Sequence, residues 1–241
     1  MDKPEDTVGG EQISSQVGCR PVASRTCWYL APIVLCVVGL LSLAVDNSVA
    51  KWIADNGVPH FIRSILDMCE PFGDGLGAVL VVLAIHQLDR SHRWAIPRVL
   101  TSAWLSGMVA NTTKLIVERT RPRAVDWSED LVASIWSTFG DWLPLTRAGS
   151  AGQSFPSGHT ATAVGLAIAL TWLYPRGRWL FFGLAVLVGL HRVASSAHYI
   201  SDVLFGAAIG CVVAALCVKI GALKRLFDRW EDRWRGAVGT Q

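Results

Sequence analysis

The chain has 241 residues, of which 51% are hydrophobic and 17% charged, and its mean hydropathy is +0.38. This composition is too apolar for an ordinary soluble domain and is typical of an integral membrane protein. The net charge of +3 is much smaller than is typical of a nucleic-acid-binding protein, so we expect no nucleic-acid partner.

Six apolar segments predict six membrane-spanning helices. The first, residues 28–45, has about 18 residues, just enough to cross a bilayer. It follows a polar tail, residues 1–27, that is too long and too acidic for the n-region of a cleavable signal peptide, so we predict an uncleaved helix. The other predicted spans are residues 72–88, 95–117, 159–174, 179–191 and 199–218.

The segments between and after the spans are polar or mixed. Residues 46–75 contain aromatic and apolar side chains that predict an amphipathic helix at the membrane interface. Residues 118–155 predict a long loop whose aromatic residues are typical of the headgroup level or of a lid. These aromatic residues are Trp127, Trp136, Phe139 and Trp142.

The end of the chain is basic and contains Trp230 and Trp234, which predicts a helix on the membrane surface. We predict three parts of the chain: a polar cytoplasmic tail (1–27), a six-span membrane domain (28–222) and a basic cytoplasmic tail (223–241). The cytoplasmic side of the two tails follows from the distribution of basic residues.

The basic residues are distributed unevenly between the two sides of the membrane. Six spans put both termini on one side, and that side carries fourteen of the 22 Lys and Arg residues. The positive-inside rule then predicts cytoplasmic termini. Three polar sets at the span ends consequently emerge together on the opposite, extracytoplasmic side.

The first polar set is Lys114 with Arg121, which are seven residues apart. Seven residues are two helical turns, so both side chains point the same way if the helix continues to Pro122. Two cations in one cleft of low dielectric repel each other, and a multivalent anion between them relieves that repulsion. Taken alone, the pair also fits two basic residues snorkelling at a span end.

The second set is Pro156-Ser157-Gly158-His159. Its residue types predict a helix start with a capping hydroxyl, and a helix N-terminus binds anions through its free N–H groups. The third set is Arg192, His198 and Asp202, in which a carboxylate one turn from an imidazole holds one tautomer. A break between two helices is predicted at residues 194–196. Each set alone also fits ordinary capping, but their joint occurrence on one face favours a phosphate site.

The combined pattern Lys-x6-Arg-Pro, Pro-Ser-Gly-His and Arg-x5-His-x3-Asp resembles the type 2 phosphatidic acid phosphatase (PAP2) superfamily. It departs from the family at one position, since the residue before the arginine of the third motif is His191 where the family usually has serine. The resemblance implies an all-α, six-transmembrane helix bundle of the PAP2/haloperoxidase-like type, with an extra interfacial helix or helices. It also implies a bacterial inner membrane and a site that faces the periplasm or exterior.

The resemblance further implies a mechanism. His198 is expected to attack phosphorus and form a phosphohistidine, Asp202 to orient that imidazole, and His159 to protonate the leaving oxygen. The groups expected to bind the phosphate oxygens are Lys114, Arg121, Ser157, the Gly158 N–H and Arg192. The family is metal-independent, so no cofactor is expected, and the six cysteines show no metal-binding spacing.

The expected partners are the membrane and a lipid phosphate substrate. Phosphatidic acid, phosphatidylglycerol phosphate, undecaprenyl diphosphate and a lipid A phosphate all fit, and the sequence leaves this choice and the oligomeric state open. A haloperoxidase-like oxidoreductase is one alternative, because vanadate occupies the same superfamily pocket. A non-catalytic phosphate-binding membrane transporter is another, although it has little use for two histidines and an aspartate. An intramembrane serine protease is disfavoured because residue 155 is Phe where Gly is required.

Overall fold

The computed structural model describes residues 25–127, 135–143 and 149–238. The polar tail predicted for residues 1–27 lies almost wholly outside the described residues, as do parts of the 118–155 loop and the last three residues of the basic tail. The α-helices of the described chain are α1 (Arg25–Asn56), α2 (His60–Cys69), α3 (Gly75–Leu88), α4 (Ile96–Thr113), α5 (Gly158–Leu173), α6 (Arg178–Ala194), α7 (Ile200–Val218) and α8 (Gly221–Val238).

The structure is mostly helical, but the loop between α4 and α5 contains a small sheet that the all-α prediction misses. Strands β1 (Val117–Arg119) and β2 (Phe139–Trp142) pair antiparallel. Pairing satisfies backbone N–H and C=O groups of a loop that leaves one helix and returns to another. Arg119, the last residue of β1, is thereby held against the bundle.

Each segment predicted as a span contains a helix, although not all of these helices are both long and apolar enough to qualify as a span. By length and composition, three helices of the described residues qualify, within Tyr29–Asn56, Pro175–Ala194 and Ile200–Val218. The pair His60–Gly73 and Gly75–Leu88, bent by 72°, makes a fourth candidate. The count of six spans therefore stays a prediction. Within the segment predicted as interfacial, residues 60–69 form α2 and residues 51–56 continue α1, while an interfacial position of α2 stays a prediction.

Helix α5 is the centre of the bundle and packs against α4, α6 and α7. Nearly all of its residues are buried, and many are alanine or glycine, so the neighbouring backbones approach closely. A Cβ on Gly165 would lie 2.6 Å from the carbonyl oxygen of Ser102, and the Ser102 hydroxyl donates to the Gly165 carbonyl at 2.9 Å. Close packing around α5 fixes the position of its N-terminus.

Two opposite ends of the bundle have different chemistry. The N-termini of α3, α5 and α7 and the C-termini of α4 and α6 meet at the end that carries the predicted site residues. At the other end, Tyr174 donates to Asp89 at 3.0 Å, and Arg98 binds Asp228 and Glu231 of α8. The basic turns and the basic C-terminal helix thus lie away from the predicted site.

Candidate active site

A polar cavity of about 250 Å³ opens at the first of these ends. It is lined by residues from all three sequence motifs: Lys114, Arg121, Gly158, His159, Arg192 and His198. Ser157 and Asp202 do not line the cavity and lie directly behind it, both fully buried. The structure therefore brings together side chains that are up to 84 positions apart in the sequence.

The N-terminus of α5 forms one wall of the cavity. Ser157 caps the helix, and its hydroxyl accepts from the Thr160 N–H at 3.4 Å and from the Thr160 hydroxyl at 2.9 Å. A Cβ on residue 158 would lie 2.7 Å from Oδ1 of Asn111, so glycine lets α4 and α5 approach here. The free N–H groups of the first turn remain available to an anion.

The turn between α6 and α7 places Arg192 and His198 side by side. Helix α6 ends at Ala194, where the sequence predicts a break, and Ser196 has a positive φ of 51°. The backbone N–H of His198 donates to the carbonyl of Arg192 at 3.1 Å. His198 is almost fully buried, and burial lowers the pKa of its imidazole to about 4 despite the opposing effect of Asp202.

Asp202 lies one turn into α7, behind the imidazole of His198. Its Oδ2 is 3.6 Å from Nδ1 of His198, slightly beyond hydrogen-bond length. The same oxygen accepts from the Tyr199 N–H at 3.0 Å and from the Ser154 hydroxyl at 2.6 Å. These donors fix the carboxylate, so it faces the His198 side that points away from the cavity.

Arg119 is a central residue that the sequence argument missed. Its guanidinium is fully buried and binds Asp202 through Nη1 and Asp46 of α1 through Nη2, the latter at 2.7 Å. Asp46 also accepts from the Ser201 backbone N–H at 3.1 Å. Burial acts to lower the pKa of Arg119, but Asp202 and Asp46 outweigh it, so the pKa is raised and the charge is kept.

A sequence signal for this network existed. Asp46 directly follows the first apolar run, and a carboxylate next to a span is costly unless it has a partner. The partner was not identifiable because Arg119 lies 73 residues away. Its position between Lys114 and Arg121 gave no reason to separate its role from theirs.

Lys114 and Arg121 both reach the cavity, but not in the way that their spacing predicts. The condition of one continuous helix from Lys114 to Arg121 is not met, because α4 ends at Thr113 and the chain then turns into β1. The Thr112 and Thr113 hydroxyls bond back to carbonyls four residues earlier at 2.9 Å, which occupies them within the last turn. Arg121 reaches the cavity from extended backbone beyond the strand.

The positive charges that line the cavity repel one another, and this repulsion destabilises the protonated form of each side chain. Burial, and then the charge of Arg121, lower the pKa of Lys114 to about 8. Burial also lowers the pKa of Arg121, as do the charges of Arg123 and Arg192. A multivalent anion in the cavity removes this repulsion, so the electrostatics favour a phosphate group.

Glu70, just after α2, is a second residue that the sequence argument missed. Its Oε1 accepts from Nη1 of Arg192 at 2.6 Å and lies 3.8 Å from Nε2 of His159. His191, the position that departs from the family pattern, lies 3.1 Å from Asp67 and 3.8 Å from Glu70. The histidine thus joins α6 to Asp67 of α2 and to Glu70 just after it. Within the described residues, no group of three or more His, Cys, Asp or Glu side chains is arranged to hold a metal ion.

The chain is similar to curated bacterial phosphatases. It is 32% identical over 142 residues to a lipid A 1-phosphatase of Rhizobium etli and 35% identical over 130 residues to a lipid A 1-phosphatase of Rhizobium johnstonii. These matches cover 57% and 54% of this chain, and 57% and 49% of the relatives. The chain spans about half the length of the curated relatives it matches.

The fold is also similar to a solved structure. This is the crystal structure of a transmembrane PAP2 type phosphatidylglycerolphosphate phosphatase from Bacillus subtilis, with a TM-score of 0.50. The match covers 82% of this chain and 96% of the other, and at 17% identity it shows the fold alone. Residues 96–225 match the family model of the PAP2 superfamily, a range that contains all three motifs and more than half of the chain. The chain therefore belongs to the PAP2 superfamily.

Proposed function

We propose that the protein is an integral-membrane lipid phosphate phosphatase that acts through a phosphohistidine at His198. The observation that carries this proposal is the cavity that gathers three cations, a helix N-terminus and two histidines, with Asp202 behind one of them. A transporter would need the cations, but a buried carboxylate behind a buried imidazole has its chemical use in nucleophilic catalysis.

The cations prepare the phosphoryl group for transfer. Lys114, Arg121 and Arg192 approach the cavity from three different segments, so they can contact different phosphate oxygens. The N–H groups at the start of α5 add donors with a fixed direction. Phosphoryl transfer depends on positioning and on charge stabilisation, and this set supplies both from the protein itself.

His198 and His159 divide the bond-making and proton-transfer steps. The lone pair of His198 Nε2 forms the P–N bond while the bond from phosphorus to the leaving oxygen breaks, and His159 gives that oxygen a proton. A water molecule then attacks phosphorus, His159 takes its proton, and the P–N bond breaks to release inorganic phosphate. His159 is 37% exposed, which gives water access to it. Asp202 stabilises the imidazolium that forms on His198.

The proposed substrate is the 1-phosphate of a lipid A-type glycolipid. Two relatives are named lipid A 1-phosphatases, which favours this choice over the phosphatidic acid, phosphatidylglycerol phosphate and undecaprenyl diphosphate that the sequence also allows. The proposed location is a bacterial inner membrane, with six spans, cytoplasmic termini and the cavity at the outer headgroup level. The separation of the cavity from the basic turns and α8 supports this orientation.

Release of inorganic phosphate from a panel of lipid phosphates tests the proposal. Purified full-length protein in detergent, with EDTA present, is expected to hydrolyse lipid A 1-phosphate with the highest kcat/KM of the panel. Binding without any phosphate release would favour a transporter, and halide oxidation with vanadate and peroxide, again without any phosphate release, would favour a haloperoxidase-like enzyme. Either result would overturn the proposed function.

Two pKa values of the free enzyme contribute to the pH dependence of kcat/KM, and the protonation of His159 as the proton donor contributes as well. The His198 nucleophile must be neutral, and its pKa of about 4 keeps it neutral down to the acid range. Lys114 binds phosphate when charged, and its pKa of about 8 means that the charge is lost as the pH rises through that value. After correction for the second ionisation of the phosphate substrate, we expect no acid limb from His198 above about pH 5, and a loss of phosphate binding by Lys114 as the pH rises through about 8. An acid limb at the ordinary histidine value of about 6.5 would contradict the prediction.

A further inference from the structure

Helix α8 (Gly221–Val238) leaves the bundle at the end opposite to the cavity. It begins three residues after α7, whose segment Ile200–Val218 is a candidate span. The N–H groups of Lys219 and Ile220 both donate to the carbonyl of Ala215 and end α7, and Gly221 has a φ of +91°, a left-handed conformation that separates the two helices. The start of α8 is therefore held at the boundary of the membrane.

Two of the three acidic side chains of α8, Asp228 and Glu231, face inward and pair with a buried arginine. Arg98 of α4 is 1% exposed and donates to Glu231 and Asp228, each at 2.7 Å. Lys224 forms a second ion pair with Asp228. The Arg235 guanidinium lies on the same inner side, 3.7 Å from the ring centroid of Trp94. These contacts fix the rotation of α8 about its own axis.

The outward face of α8 carries two adjacent rows of side chains with a spacing of four residues. The first row, Leu226, Trp230 and Trp234, is 59%, 40% and 47% exposed. The second row, Arg225, Arg229 and Arg233, is also exposed. A helix facing water would bury its tryptophans, whereas α8 exposes Trp230 and Trp234.

The two rows match the chemistry of a phospholipid surface. Tryptophan rings partition to the membrane interface, and arginine binds phosphate oxygens with a planar fork. Beside the Arg225, Arg229 and Arg233 row, the outer face has one acidic residue, Asp232, so its net charge is positive. We propose that the outward face of α8 binds the anionic phospholipid headgroups of the leaflet opposite to the cavity.

Native mass spectrometry of the full-length protein in detergent tests the proposal, with phosphatidylglycerol and phosphatidylcholine as probes. The wild-type protein is expected to retain more phosphatidylglycerol than phosphatidylcholine. The triple variant Arg225→Gln, Arg229→Gln, Arg233→Gln is expected to lose this preference several-fold. These residues do not contact Arg98, so the inner ion pairs that hold α8 remain.

A second triple variant is the matched control. Arg90→Gln, Arg176→Gln, Arg178→Gln removes the same charge from exposed positions at the same end of the bundle but outside α8. We expect it to keep most of the preference for phosphatidylglycerol. Equal losses in the two variants would show a general effect of charge and overturn the assignment to α8, as would equal retention of the two lipids. A dimer that the α8 variant alone disrupts would identify a second copy of the chain as the occupant instead.

Discussion

Substitution of His198 by glutamine is expected to lower phosphate release by about 10⁴-fold or more, because the variant lacks the nitrogen that forms the covalent bond to phosphorus. Glutamine keeps a polar group of similar length in a site that is almost fully buried. The three cations and the start of α5 are unchanged, so the loss is expected in kcat, with a smaller effect on KM. The measurement is inorganic phosphate release from a lipid phosphate in detergent.

His86→Gln is the matched control for this substitution. His86 is exposed and lies in the last turn of α3, at the end of the bundle away from the cavity. The control is expected to retain wild-type turnover. If His198→Gln also retained more than a tenth of the wild-type rate, the phosphohistidine mechanism would be refuted, while binding of phosphate by the cations would still stand.

Substitution of Arg119 by methionine is expected to have the largest effect on stability. Arg119 separates and neutralises two fully buried carboxylates, Asp46 and Asp202, and methionine leaves both without their cation. Removal of one partner from a buried ion network costs about 3–5 kcal/mol of the free energy of unfolding. Thermal unfolding in detergent measures this loss. Phosphate release is expected to fall as well, because Asp202 loses a contact that positions it behind His198.

Two further variants separate the network from a general effect of charge. Arg123→Met removes an exposed arginine of the same loop and is expected to change the free energy of unfolding by about 0.5 kcal/mol or less. The double variant Arg119→Met, Asp46→Asn removes one of the two carboxylates that the single variant leaves without a cation. It is expected to be more stable than Arg119→Met alone, since one buried uncompensated charge replaces two. A double variant with additive losses would show that Asp46 and Arg119 are not coupled.

The network also joins the first helix to the family-defining part of the chain. Asp46 lies in α1, outside residues 96–225 that match the PAP2 superfamily, whereas Arg119 and Asp202 lie inside that range. Helix α1 packs mainly along α7, and Asp46 is its buried charged contact to the start of α7. The position of Asp202 thus depends on a residue outside the recognisable motifs.

Much of the site was accessible from the sequence because its residues occur at the ends of apolar segments. A polar or charged group in such a place needs a wet cavity or a partner, so Lys114, His159 and Asp202 could be selected before any coordinates were known. The capping role of Ser157 follows from its place before a long apolar run, and the structure confirms it. The specific order of the three motifs then identified the family.

Other features depended on contacts that no local pattern encodes. The end of α4 at Thr113 means that Lys114 and Arg121 do not share one helical face, because the chain leaves the helix to pair as β1. Glu70 contacts Arg192 across 122 positions, and Asp46 contacts Ser201 across 155. Separations of this length carry no periodic signal.

The sequence by itself determined the membrane class, the helical segments and the three motifs, because hydrophobic length and span-end polarity are local properties. The tertiary structure alone decided which buried carboxylates share Arg119, which acid meets Arg192 and which face of α8 is turned outward. The helices other than α8 are mostly apolar nearly all round, and such helices have no preferred face in their sequence. Their rotation is set by a small number of long-range ion pairs and close backbone contacts, which form only when the bundle is assembled.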